Sequence, residues 1–162
     1  MATLSASQAS STKPVPKFPA AGVLHTVYGK YTLTANPSAN DVIEFCRLPA
    51  GAVVVGGWFR GEDIDTGTET LDIDIGWAAN GGSGTYDAAD SDGFGNFGVL
   101  DGDAVSQIKP EVSILYQLNG VLKSGPVTFT RETVIQGLVN AAANAGGTGV
   151  LWVRIEYLVQ AQ

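Results

Sequence analysis

Asp41–Trp77 reads DVIEFCRLPAGAVVVGGWFRGEDIDTGTETLDIDIGW, and its last seven residues settle the fold class. Leu71, Ile73, Ile75 and Trp77 alternate with Asp72 and Asp74. In a strand, successive side chains point to opposite faces, so the apolar four share one face and the two carboxylates the other. A helix scatters the same residues around its circumference, so period two is the better description. One face belongs to a core and the other to water or a partner. Working back, Asp41–Leu48 is a second strand, ended by Pro49-Ala50-Gly51, a proline-then-glycine turn. Ala52–Arg60 follows as an apolar strand whose unbroken Val53-Val54-Val55 suggests burial on both faces. Gly56-Gly57 within it suggests a bulge or a close backbone approach.

The same pattern extends outward. Val150–Val159 places Leu151, Val153, Ile155, Tyr157 and Val159 on one face and Trp152, Arg154, Glu156 and Leu158 on the other, which predicts a central strand. Val23–Thr34 reads as a strand pair or one long strand, and Glu111–Asn119 as another strand. Asn119-Gly120 signals a hairpin turn, and Val127–Thr130 begins a further strand. Between Arg131 and Asn144, Val134, Ile135, Leu138, Val139 and Ala142 recur at helical spacing before Gly146-Gly147, and the spacing predicts a short helix. Ala78–Asp103 is glycine-rich and irregular, with one short strand expected near Phe97–Leu100. Roughly seven to nine strands with turn signals between them make an all-β chain, an antiparallel β-sandwich or jelly roll.

The 162 residues suit a single domain, residues 23–162, preceded by an extended or flexible arm, residues 1–22. Serine, threonine and alanine dominate that arm, and Pro14, Pro16 and Pro19 favour a polyproline-like path. Its charges are Lys13 and Lys17, on a chain whose formal charge is −7. The acidic balance argues against nucleic acid and against an anionic membrane surface, both of which call for a cationic stripe. The first residues lack the apolar core of a secretion signal, and no run approaches the ~20 apolar residues of a membrane span. Only 15% of residues are charged, low for a free-standing soluble domain, which points to surface hidden in an assembly.

Candidate chemistry is sparse, and no cofactor is implied. Cys46 is the single cysteine and lies in an apolar strand, as expected of a buried, inert thiol. His25 is the single histidine, with no second ligand beside it in sequence. Glu62-Asp63-Asp65 lacks the ligand spacing of a helix–loop–helix calcium site and reads as a solvated acidic turn, whereas Asp87, Asp90 and Asp92 suggest calcium or, as glycine-flanked aspartates, plain turn formers, the latter being the favoured reading. Asp72 and Asp74 lie ~7 Å apart along one strand face, a spacing compatible with paired glycosidase carboxylates and equally with plain alternation. No nucleophile elbow or phosphate loop occurs. Tyr86, Phe94 and Phe97 give the irregular segment aromatic anchors for docking.

Leu48-Pro49-Ala50-Gly51-Ala52, Asp65-Thr66-Gly67-Thr68-Glu69-Thr70-Leu71-Asp72-Ile73-Asp74-Ile75-Gly76 and the closing Gly149–Tyr157 together carry a resemblance. The chain looks like the small β-sandwich capsid decoration, or cement, proteins of tailed bacteriophages. That resemblance implies a non-enzymatic virion protein, made in the host bacterial cytoplasm and carried on the capsid surface. It would bridge subunits of the major capsid protein as a homotrimer. Lys13, Pro14, Pro16, Lys17, Tyr86, Phe94 and Phe97 are the expected partner contacts. An alternative is a carbohydrate-binding or host-attachment module of a phage fibre or tail, with Trp58, Trp77, Tyr86 and Phe94 stacking sugars.

Overall fold

A computed structural model of the chain describes residues 2–6, 9, 22–62, 64–66, 68–100 and 113–159. The strands are β1 (Thr3–Ser5), β2 (His25–Leu33), β3 (Val42–Leu48), β4 (Ala52–Glu62), β5 (Asp72–Trp77) and β6 (Asp90–Gly95). After these come β7 (Ser113–Gln117), a 3₁₀ turn (Val121–Ser124), β8 (Val127–Thr128), β9 (Thr133–Ala141) and β10 (Gly149–Val159). One sheet runs β1-β3-β9-β5-β6 and the other β2-β10-β4-β7, with β8 beside β4. The result is the expected all-β sandwich. Every pairing is antiparallel except β1 with β3, which is parallel.

The alternation of β5 does what its pattern requires. Leu71, Ile73, Ile75 and Trp77 are buried, and Trp77 packs against Phe94 and Phe129 at ring separations of 4.8 and 5.3 Å. β10 lies between β2 and β4, and Leu151, Val153, Ile155 and Tyr157 supply the facing core layer. Each such aliphatic side chain contributes roughly 1.5–3 kcal/mol on burial. The β4–β10 register jumps between Glu156 and Tyr157, so the bulge expected near Gly56-Gly57 is present. A Cβ on Gly57 would lie 2.2 Å from the Arg154 carbonyl oxygen, so only glycine lets the two backbones approach there.

Three local expectations are corrected. The helix predicted between Arg131 and Asn144 is instead β9, an inner strand between β3 and β5. Thr133, Ile135, Gly137 and Val139 face the core, while Val134, Gln136 and Leu138 are half-buried on the other side. With apolar residues on both faces, a strand mimics helical spacing; the β-branched Thr133-Val134-Ile135 run favours the strand. Asn119-Gly120 does not close a hairpin: β7 and β8 pair with different stretches of β4. Asn119 N–H donates to the Phe94 carbonyl (3.0 Å), so this turn docks on β6. The strand in the irregular segment is β6, earlier than Phe97–Leu100, of which Val99 forms only an isolated bridge to Asp72.

Within the expected arm, Thr3–Ser5 forms β1, and Ala6 N–H donates to the Glu44 carbonyl. Ala2 N–H and Ser38 N–H donate to the Asp41 carboxylate and hold its pKa below the usual range.

Candidate interaction surfaces

Two buried aspartates organise the loops between strands. Asp65 accepts hydrogen bonds from the backbone N–H groups of Thr70 (2.7 Å), Leu71, Asn144 and Ala145 (each 3.1 Å). It thereby ties the turn before β5 to the turn after β9. Asp87 accepts from Gly84 N–H (2.6 Å), Asn80 Nδ2 (2.8 Å), Thr130 N–H (3.0 Å) and the Thr130 hydroxyl. Burial pushes both carboxyls up, but these donors outweigh it and hold both well below the usual carboxylate range. In the acidic turns read from sequence, Asp65 and Asp87 are therefore structural clamps with their oxygens occupied; Asp63 lies outside the described residues. Among the described residues, no group of three His, Cys, Asp or Glu side chains is arranged to hold a metal ion.

The outer face of β5 behaves differently. Asp74 is only 5% exposed, and Asn140 Nδ2 donates to its Oδ2 at 2.8 Å. Its other oxygen and Asp72 Oδ1 are buried without a hydrogen-bond partner. Burial, then the charges of Asp72 and Asp92, push the Asp74 carboxyl up, although the Asn140 bond opposes them. Asp90 on β6 is pushed up as well, by burial and by its contact with Asp92. A glycosidase pair needs both carboxylates open to a sugar, and Asp74 is covered.

The aromatic residues singled out from sequence separate. Phe94 is fully buried and Trp77 is 1% exposed; Trp77 Nε1 donates to the Ala88 carbonyl (2.8 Å). Phe94 is thus a core residue and not a docking anchor, and the set of Trp58, Trp77, Tyr86 and Phe94 forms no shared platform. Tyr86 is half-buried, edge-on to Trp77 at 6.1 Å, and Phe97 stacks between Phe59 (5.9 Å) and Tyr116 (4.6 Å). Lys13, Pro14, Pro16 and Lys17 lie outside the described residues. Cys46 is buried and its thiol is pushed up to about 12 by that burial, so it is inert in the native fold. His25 packs against Tyr157 at 5.6 Å.

Sequence reading missed the outer face of the second sheet. Register places Tyr28, Arg154 and Trp58 in one cross-strand row, and Lys30, Trp152 and Arg60 in the next. The Arg60 guanidinium lies 5.0 Å from the Trp152 ring and that of Arg154 5.8 Å from Tyr28. Tyr28 meets Trp58 edge-on at 6.1 Å, Arg154 pairs with Glu156 at 2.5 Å, and Tyr28 remains 51% exposed. The parities of β2 and β10 were readable. The pairing that brings them together across β4 is a long-range fact that no local pattern carries.

No family model matches the chain, and no curated protein matches it. Its fold is shared from end to end with chains of bacteriophage capsid structures. One from the capsid of Ralstonia phage GP4 has 21% identity and a TM-score of 0.70, covering 99% of each chain. One from the capsid asymmetric unit of cyanophage Pam1 has 22% identity and a TM-score of 0.61, covering 93% of this chain and 95% of that one. One from the acid-stable capsid of Helicobacter pylori bacteriophage KHP30 has 16% identity and a TM-score of 0.51, over 89% and 94%.

Proposed function

We propose that this chain is a non-enzymatic structural protein of a bacteriophage virion, a capsid decoration or cement protein. It binds the outer surface of the head and bridges neighbouring copies of the major capsid protein. One observation carries the reading: the likeness to the Ralstonia phage GP4 capsid chain spans 99% of both chains, so the whole chain, not a shared module, matches a shell component. The aromatic and arginine-rich outer face of the second sheet supports it, because Trp, Tyr and Arg carry most of the binding free energy at protein interfaces.

A homotrimer suits the role, since closed symmetry matches a repeated site on a shell. Apolar surface buried at each seam contributes ~25 cal/mol per Å², and many copies act together. Lys13, Pro14, Pro16 and Lys17 belong to a basic arm suited to an acidic neighbour. Tyr86 and Phe97 are the aromatic residues of the loop region that retain exposed surface. The test is particle survival on heating with and without the purified chain. Bound chain and a higher disruption temperature are expected; particles that neither bind it nor gain heat resistance would refute the reading.

A further inference from the structure

β2 is the outermost strand of the second sheet and pairs with β10 along all nine of its residues without a register shift. Among the described residues no strand pairs with its other side, so alternate N–H and C=O groups face outward there. The other sheet edges are shorter or guarded. β1 has three residues and β7 five; β6 has a register shift against β5, and Asn119 N–H donates to its Phe94 carbonyl. β2 has neither a proline nor a bulge. Exposed apolar side chains gather beside it: Val23, Leu24 and Tyr28 are each more than half exposed. Val27 and Tyr31 share a face with the buried Gly29 and Leu33, yet they stay half-buried. The sandwich is therefore left unfinished along this edge.

A Cβ on Gly29 would lie 2.6 Å from the Cβ of Phe45, so β2 stands directly over β3, and β1 projects one strand past it in the first sheet. That ledge decides what can dock. Two sandwiches joined β2 to β2 would drive the β1 of each copy into the β3 of the other. A single extended segment meets no such obstacle and would lie over Leu4 of β1, itself half-buried. We propose that the β2 edge receives one extended segment of a partner, added as a further strand of the second sheet. Apolar residues at alternate positions of that segment would cover Leu4, Val27 and Tyr31. On its other face the segment would lie beside Thr26, Tyr28, Lys30 and Thr32, all exposed, where a carboxylate opposite Lys30 makes the favourable cross-strand pair. The inference deepens the function proposed above, on which the owner of the segment rests: within that reading, the owner is the major capsid protein.

The test uses the full chain and a blocked peptide as long as β2, in which valine alternates with threonine and one central threonine is replaced by glutamate. Binding is expected, with hydrogen-exchange protection gained at alternate amides between Thr26 and Leu33. An added strand uses one edge only, so at least one of two peptides N-methylated along a single edge should bind like the parent. Methylation along both edges should weaken binding by about tenfold or more. Lys30→Glu should weaken the glutamate peptide by about threefold or more and favour a peptide with lysine in that place. Lys30→Gln is the gentler form, and circular dichroism checks the fold of both. No binding up to about 1 mM peptide, binding without protection of β2, or binding that survives methylation of both edges would overturn the proposal. So would β2 amides that become protected when the parent chain associates with itself, which assigns the edge to a second copy. Particles separate the two readings. A chain that binds particles with its β2 amides unprotected sinks this inference alone; a chain that takes the peptide on β2 but binds no particle sinks the virion reading alone.

Discussion

Asp65 and Asp87 on one side, Asp74 and Asp90 on the other, are the same residue put to opposite electrostatic uses. Asp65, Asp74 and Asp87 are all buried, yet the loop pair titrates below the usual range and the β5–β6 pair above it. Hydrogen-bond supply makes the difference. The loop carboxylates collect backbone N–H donors from two chain segments each, whereas Asp74 has one side-chain donor and carboxylate neighbours. A carboxylate met by donors stabilises its surroundings as an anion; one met by other carboxylates is under strain until a proton or a cation arrives. The loop carboxylates therefore serve folding within the chain as anions, whereas Asp74 and Asp90 sit where their ionised form is disfavoured.

The loop clamps should give the largest effects. Asp87→Ala leaves Gly84 N–H, Thr130 N–H and Asn80 without their acceptor and frees the loop after β5 from the turn before β9. Orphaning several part-buried donors should cost on the order of 3 kcal/mol, a fall in melting temperature of roughly 10 °C for a chain of this size. Asp65→Ala should behave alike, because it unties the start of β5 from the end of β9. Thermal melts and faster hydrogen exchange at Thr130 or at Leu71 report it. A loss of less than about 1 kcal/mol in both variants would break the division into clamps and unfilled acceptors. Cys46 serves as a second readout: its buried thiol reacts only when the fold opens, so labelling should accelerate in both variants.

The pH dependence is next in size and has two signs. Asp74 and Asp90 have folded pKa values above the unfolded one, so their ionisation opposes folding at neutral pH; protonation relieves this as pH falls toward about 4. Asp65 and Asp87 have folded values below the unfolded one. Their contribution is full above about 4 and is lost as pH falls further toward the depressed folded values. Stability should therefore rise from pH 7 to a maximum in the weakly acidic range and drop steeply beneath it. Denaturant titrations at stepped pH measure this; a monotonic fall from pH 7 downward would mean that the β5–β6 cluster is already neutralised.

How much of this was legible depends on the range of the interaction responsible. β5 and β10 could be read directly, because two-residue alternation is local and a half-buried strand cannot avoid displaying it. β9 could not, since an inner strand with Val134 and Leu138 outside and Ile135 and Val139 inside shows no single polar face. The clamps were hidden differently. Asp87 stands in an ordinary turn composition, and its partner Thr130 is 43 positions away. The row Lys30, Trp152, Arg60 draws on three strands and exists only once β10 pairs with both β2 and β4. The bulge at Gly56-Gly57 was legible because two adjacent glycines in an apolar strand have few other uses.

The smallest expected effect is also the most discriminating. Asp74→Asn keeps the acceptor that Asn140 uses and replaces the orphaned oxygen with an NH₂ group able to donate toward Asp72 or Asp92. It removes one of the mutually repelling charges and leaves the volume almost unchanged. At neutral pH the isolated chain should become slightly more stable, by about 2 °C, and the rise in stability between pH 7 and 5 should flatten. Ordinary buried aspartates lose stability on the same substitution, as Asp87→Asn should. If Asp74→Asn is instead destabilising at pH 7, the carboxylate is already satisfied as an anion, and the contrast between the β5–β6 carboxyls and the loop clamps fails.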